Sequence, residues 1–223
     1  MQKQPDKPTV QGEIEKALRY ININSEVLHA GRTDRGVHAL NQVISFKADD
    51  KRDPVQIRYA LNKILNPYIH IKKIEKTNLN FHPRFSAKKR SYRYLISNRY
   101  SPFTSDYITY YPYKMNIMLL KKALSKFEGR HNFEFFAKTE SEVASYEREI
   151  YKTDIFEYKN LTVIKITGNG FLRAQIRLII NSLFYLNENR ITLEMLQEQI
   201  DAKKLYVKHP ATPCGLYLER IWY

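Results

Sequence analysis

The segment "FLRAQIRLIINSLFYL", residues 171–186, is apolar at most positions and carries only two charges, Arg173 and Arg177. A helix that is apolar around most of its circumference has to be buried. Just before it come "REIYKTDIFEY" and "LTVIKITG", two strand-like runs joined at Lys159-Asn160. They read as an antiparallel hairpin, which presents an apolar face for such a helix to cover. Helix on antiparallel sheet is therefore the layer arrangement this chain is built for.

The remaining elements repeat the theme. "TVQGEIEKALRYI" sets Val10, Ile14, Ala17, Leu18 and Ile21 on one helical stripe, with Thr9 as N-cap. "NSEVLHA" and "NQVISFKA" read as strands, the second with Ile44, Phe46 and Ala48 on one face. Asp53-Pro54 is a cap followed by proline at the first helical position. The helix it opens runs to about Asn66 and buries Val55, Ile57, Leu61, Ile64 and Leu65. "IHIKKIEK" and "KRSYRYLIS" are predicted strands, and Tyr100 to Lys114 a linker or long loop. "NIMLLKKALSKFEG" is a helix stopping at Gly129, "TLEMLQEQIDA" a short helix and "GLYLERIWY" a closing strand. Both halves mix helices with antiparallel strands, so the fold class is α+β with two similar lobes, 1–100 and 101–223.

Charge narrows the partners. The chain has 223 residues and a formal net charge of +14. That excess points to a polyanion, nucleic acid first and an anionic membrane second. Seventeen tyrosines and eleven phenylalanines supply stacking faces beside the charge. No apolar run approaches the ~20 residues of a spanning helix, and "MQKQPDKPTV" does not read as a signal peptide. Cys214 is the single cysteine, which leaves no internal disulfide and no cysteine-based zinc site.

Chemistry concentrates in "HAGRTDRGVHALNQ", residues 29–42, where Gly31 and Gly36 bracket Arg32-Thr33-Asp34-Arg35. A strand entering a tight glycine turn can project one side chain into a cleft. Arginines on both sides favour an ionised Asp34, suited to a nucleophile or electrostatic partner. The plainer alternative is a turn aspartate bonded to its own backbone. His38, four residues on, makes a hydrolytic or metal pair conceivable, but such a site needs more carboxylates or ligands. Asp49, Asp50 and Asp53 belong to a strand end and a helix cap, so His38 reads as a structural hydrogen-bonding residue.

Two further stretches carry arginine and aromatic residues. In "FHPRFSAKKRSYRYLIS", residues 81–97, six basic residues counting His82 interleave with aromatics. On a strand, Tyr92 and Tyr94 face one way and Arg93 the other. That suits an RNA base stacked on a ring with phosphates nearby; a half-buried strand with solvated lysines fits equally. In "NGFLRAQIRLIINSL", residues 169–183, Arg173 and Arg177 lie four apart on one helical face. A guanidinium on a buried helix needs an anionic partner, and Asp34 is a candidate. Otherwise the arginine sits at the helix edge with its head in water.

Taken in order, "AGRTDRGVHA" (30–39), "FHPRFSAKKRSYRY" (81–94), "NGFLRAQIRLIINSL" and "GLYLERIWY" resemble the tRNA pseudouridine synthase A family. The leading "QPDKPTVQGEIEKAL" is similar to that family's first helix and its approach, so the resemblance spans nearly the whole chain. Arg35 stands where the family usually has alanine. The resemblance implies a cofactor-free, metal-independent isomerase of the cytoplasm that converts uridine to pseudouridine at tRNA positions 38–40, in the anticodon arm. It implies two ferredoxin-like lobes with joined antiparallel sheets, the active site in the cleft between them, and a homodimer. It assigns Asp34 as the catalytic aspartate, Tyr92 as the base-stacking tyrosine and Arg177 as the arginine pairing with the aspartate. Leu216 falls in the segment lining the uracil pocket, and Arg32 matches an arginine that helps displace the target base.

An ionised Asp34 can attack the sugar or the base, or take a proton from the ribose; all three routes remain open. A non-catalytic RNA-binding protein on the same lobes is the other reading, and a phosphoesterase using Asp34 and His38 a third. Family members also carry a strand and turn with a "YDG" signature ahead of the segment matching "QKQPDKPTVQ". Here that segment starts at Met1. The expectation is that the 223-residue chain is aggregation-prone or weakly active and that upstream extension restores it.

Overall fold

A computed structural model describes residues 7–48, 51–138 and 144–223. Asp49 and Asp50, and the start of the "QPDK" stretch, lie outside the described residues. The chain divides into two compact units. One comprises the residues up to Thr33 together with Gln42–Ala87, the other Asp34–Asn41 together with Lys88–Tyr223.

The first unit holds helix α1 (Val10–Tyr20), strand β1 (Leu28–His29), strand β3 (Ile44–Ser45) and helix α2 (Pro54–Leu65). Its sequence signals worked at the helix ends. Thr9 Oγ1 accepts from Gly12 N at 3.1 Å and Asp53 Oδ1 from Val55 N at 2.7 Å, satisfying amides that have no carbonyl within the helix. The core consists of Ile14, Ala17 and Leu18 from α1, Ile57, Leu61 and Leu65 from α2, and Ile23 and Val27 between them. Val10, Val55 and Ile64, predicted to be buried, are exposed. Val10 is the first residue of α1 and Ile64 falls in the last turn of α2, while Val55 points away from the face shared by Ile57, Leu61 and Leu65.

Gln11 and Glu15 are buried instead, and form a polar bracket on the backbone. Gln11 Nε2 donates to Glu15 Oε1 (3.0 Å) and to the Val27 carbonyl (3.1 Å), and Val27 N donates to Glu15 Oε1 (3.3 Å). β1 and β3 pair antiparallel over two residues each, far shorter than predicted. "IHIKKIEK" forms no strand; Asn62 holds it, donating to the Ile71 carbonyl at 3.0 Å and accepting from Ile71 N at 2.7 Å. An asparagine side chain has taken the place of a ladder partner.

The second unit contains β2 (His38–Ala39), β4 (Lys89–Ser97), β5 (Thr109–Tyr110), α3 (Ile117–Ser125), β6 (Gly129–Asn132), β7 (Glu147–Tyr158), β8 (Leu161–Gly168), α4 (Gln175–Asn187), α5 (Leu193–Ile200) and β9 (Leu216–Trp222). Its sheet runs β2-β9-β4-β8-β7-β6, with β5 also on β4. The sheet is mixed: β2 lies parallel to β9 and β5 parallel to β4, against the expectation of purely antiparallel pairing. Both parallel pairs are two residues long. They come from loop segments laid along the sheet, one of them inside the stretch predicted to be a linker.

The hairpin at Lys159-Asn160 and the burial of α4 are as predicted. Lys159 adopts a positive φ of 54°, and Ile176, Leu178, Ile179, Ile180 and Leu183 are buried in the core of this unit. α4 starts four residues later than the apolar run suggested. Ala174 sits in the left-handed region (φ 62°), which keeps Phe171–Arg173 out of the helix. Arg173 is exposed there and does not share a helical face with Arg177. The architecture is α+β. Among the described residues no helix is long and apolar enough to cross a membrane.

Candidate active site

The turn after Thr33 is closed by Val37 N donating to the Asp34 carbonyl at 3.2 Å. Gly36 takes φ +79°, a conformation that side chains resist, and a Cβ there would lie 2.9 Å from Pro213 Cγ. The glycine therefore serves both the turn and its close contact with the 211–215 segment. Beyond the turn, β2 locks onto β9, and Leu40 N donates to the Leu218 carbonyl at 2.8 Å. Asp34 is held at the start of a turn that β2 anchors on β9.

Arg177 meets it. Its Nη1 donates to Asp34 Oδ2 at 2.8 Å and its Nε to the Ala211 carbonyl at 2.7 Å. Ala211 N in turn donates to the Arg177 carbonyl at 2.9 Å. The guanidinium side chain is 15% exposed and the carboxylate 36%, so the anion remains accessible while the cation is mostly covered. The Asp34 ion pair thus comes from a helix 143 residues away along the chain. Arg35, its neighbour in sequence, is exposed, as is Arg32, which belongs to the other unit.

Tyr92 lies in the middle of β4, opposite Leu218 and Ile166. Its ring meets Phe171 edge to face, centroids 5.3 Å apart at 87°, a favoured aromatic geometry. Burial pushes its phenol up to about 12; Arg90 opposes the rise and the Asp34 carboxylate adds to it. Tyr92, Phe171 and Val37 all pack on the core cluster that contains Leu216, which is 6% exposed. Leu216 faces Tyr94 across the β4–β9 ladder, and its N–H is taken by the Pro213 carbonyl at 2.9 Å.

Tyr94 is a core residue. Its hydroxyl donates to the Thr212 carbonyl at 2.8 Å and accepts from Thr109 Oγ1 at 2.8 Å. Gly215 makes this packing possible, since a Cβ there would come within 2.5 Å of the Leu95 carbonyl. His38 takes the structural role expected of it. Its Nε2 bonds the Asp106 carbonyl at 2.8 Å and its ring stacks on Tyr217, centroids 4.8 Å apart.

The residues that sequence reasoning missed are those that hold the ion pair and the ring. Ala211, Pro213 and Phe171 act through a backbone carbonyl, a van der Waals surface and an aromatic edge, none of which has a sequence signature. The carboxylate, its guanidinium clamp and the partly covered ring form a site that can hold an anion ready beside a flat apolar group. Among the described residues no three histidine, cysteine, aspartate or glutamate side chains gather.

A family model described as tRNA pseudouridine synthase matches residues 1–86 and 123–223. The chain belongs to the tRNA pseudouridine synthase family. Relatives named tRNA pseudouridine synthase A agree along its length. One from Campylobacter jejuni is 40% identical over 222 residues, covering 99% of this chain and 92% of its own. One from Helicobacter pylori is 41% identical over 228 residues, with the same coverage. A Helicobacter hepaticus relative is 37% identical over 229 residues, covering all of this chain and 92% of its own. Enzymes of the pseudouridine synthase family are isomerases that act on tRNA uridine.

Proposed function

We propose that this chain isomerises uridine to pseudouridine in tRNA, within the anticodon arm at positions 38–40, with Asp34 as the catalytic group. The observation that carries the reading is the Arg177–Asp34 pair, an accessible carboxylate held by a covered guanidinium on a closed turn. In the reaction the uracil N1–C1′ bond breaks, the base turns, and C5 joins C1′. The C5 hydrogen leaves to solvent and N1 ends with a proton, so atoms balance without an added reagent. Asp34 supplies the anion, Arg177 fixes its direction, and Tyr92 offers a ring on which the target base stacks. Flipping a base out of its stack costs a few kcal/mol, and stacking on an aromatic ring returns about 1–3 kcal/mol. Leu216 contributes apolar cover to the detached uracil, which has to be kept from escaping. Arg32, exposed on the preceding residues, is the group proposed to displace the base from the RNA.

The same reading extends to the whole molecule. β4 pairs with β8 and β9 inside one compact unit, and the reading of two lobes, 1–100 and 101–223, with joined sheets is drawn from the family resemblance. The active site would then lie in the cleft of that arrangement, in a cytoplasmic homodimer. The deciding measurement is tritium release from tRNA labelled at uracil C5. The wild-type protein is expected to release tritium without cutting the strand. Asp34→Asn is expected to lose at least about 10⁴ in rate, as removal of a reacting group does. Its tRNA affinity stays within a few-fold because phosphate contacts dominate binding. Near-normal release by Asp34→Asn would overturn the assignment, and binding without release by the wild type would make the protein an RNA-binding module.

A further inference from the structure

The turn over residues 81–86 is clamped more tightly than an ordinary surface loop. Phe81 N donates to the Asn78 carbonyl at 3.2 Å and Ser86 N to the His82 carbonyl at 2.9 Å. His82 N donates back to Ser86 Oγ at 3.1 Å. The His82 ring then caps the turn from inside: Nδ1 accepts from Arg84 N at 3.1 Å and from Phe85 N at 3.4 Å. Two amides on Nδ1 require that nitrogen to be the unprotonated one. Pro83 fixes one backbone dihedral between them. What this turn projects is Phe85, 75% exposed.

The ring is oriented as well as exposed. The His82 imidazole lies against it, centroids 4.4 Å apart, and the Arg84 guanidinium carbon sits 5.5 Å from its centroid. A guanidinium over a ring within about 6 Å is a favourable cation–π contact. Positive charge continues into the same unit. His29, partly buried, has its pKa lowered by burial first and then by the fields of Arg32 and Arg84, so both guanidiniums bear on one imidazole. An aromatic face held beside a guanidinium on a clamped turn is the composition of a surface that stacks unpaired bases and neutralises phosphates. A core-packing role for Phe85 is excluded by its exposure.

We propose that Phe85 is a second stacking platform, separate from Tyr92, for an unpaired base of the RNA, with Arg84 over the ring. The proposal rests on the reading that tRNA is the substrate, and it adds a contact made in binding, outside the isomerisation chemistry. The clamp explains why the ring is held: a platform oriented before binding loses less freedom when the base arrives.

Fluorescence tests it directly, because Trp222 is the only tryptophan. Phe85→Trp in a Trp222→Phe background places the single indole at the platform. Saturating unmodified tRNA transcript is expected to quench its emission strongly, and heparin at matched binding to leave it nearly unchanged. In parallel, Phe85→Leu is expected to weaken tRNA binding about tenfold, with Phe85→Trp restoring it, since a base stack on an aromatic ring is worth a factor of that order. Unchanged emission with tRNA bound, or equal quenching by heparin, would overturn the proposal. So would wild-type affinity in Phe85→Leu. Adding Asp34→Asn to the fluorescent variant separates the two readings: quenching persists there whether or not Asp34 is the catalytic group.

Discussion

Arg177 donates to Asp34 Oδ2 through Nη1 at 2.8 Å while its Nε is tied to the Ala211 carbonyl at 2.7 Å. One planar group thus fixes a carboxylate to a backbone position contributed by another segment. Arginine does this because its donors are set in a rigid fork; an ammonium is a point charge and cannot hold both directions. Arg177→Met is expected to lower turnover by about 10²–10³, the usual cost of a misplaced reacting group. Affinity for tRNA should change only a few-fold. Arg177→Lys should recover part of the turnover. Single-turnover rates measured alongside filter binding check this, and a loss confined to binding would show that Arg177 is an RNA contact and not a positioning residue.

Tyr92 and Tyr94 share a face of β4 but not a role. Tyr94 is 1% exposed and tied by its hydroxyl to Thr109 and Thr212, so Tyr94→Leu should act on stability, by roughly 2–4 kcal/mol for lost volume and hydrogen bonds. Tyr92→Leu should weaken tRNA binding about tenfold through the lost stack, with melting little affected beyond the Phe171 contact. Tyr92→Phe keeps the ring and should keep the binding. With its phenol at about 12, Tyr92 is a proton donor at neutral pH. A collapse of turnover in Tyr92→Phe with binding intact would assign that hydroxyl a proton-transfer step. Full activity and affinity in Tyr92→Leu would remove it from the site.

How much of this was legible beforehand depended on the kind of signal. Caps worked because they are local: Thr9 and Asp53 satisfy amides two or three residues away. The β7–β8 hairpin and the burial of α4 followed from side-chain pattern. The Arg177–Asp34 pair was suggested twice, by the need of a covered cation for an anion and by the family resemblance, and both pointed to the partner found. What failed depended on tertiary context. The stretch 69–76 predicted as a strand forms none, and its Ile71 is bonded to the Asn62 side chain, which no periodicity reveals. The start of α4 was misplaced because Ala174, an excellent helix former, adopts φ 62° where the chain turns in from Phe171. The parallel pairing of β2 and β5 involves two residues each, below the length at which a pattern exists.

Gly36 gives a test of the turn itself. An alanine there has to adopt φ +79° and place its Cβ 2.9 Å from Pro213 Cγ. The left-handed backbone alone costs about 1–2 kcal/mol for a residue with a Cβ, and the proline contact demands a shift of one segment. Gly36→Ala is therefore expected to lose about 1–3 kcal/mol of stability and to lower turnover at least about tenfold by moving Asp34. Denaturant unfolding and tritium release measure the two effects. An alanine variant with wild-type turnover would show that the turn tolerates displacement without moving the carboxylate.

Burial raises the phenols of Tyr92, Tyr94, Tyr111 and Tyr223 to about 12, and the consequence is a loss of stability in alkali. The sign follows from linkage. An unfolded tyrosine gives up its proton near 10, and the folded one holds it to about 12, so the folded state binds more protons between these values. The stabilisation is fully present below pH 10 and is lost as pH rises toward 12. For Tyr94, which is almost fully covered, the loss by pH 11.5 amounts to ~2 kcal/mol. Tyr94→Phe has no proton to lose. It should be less stable than wild type at pH 8 by about 1–2 kcal/mol, because the Thr109 and Thr212 bonds are gone. The gap should then close as both proteins are taken to pH 11.5. Urea unfolding at half-unit steps from pH 8 follows the gap, and one that stays constant across that range would show that the Tyr94 hydroxyl titrates no later in the folded protein than in the unfolded chain.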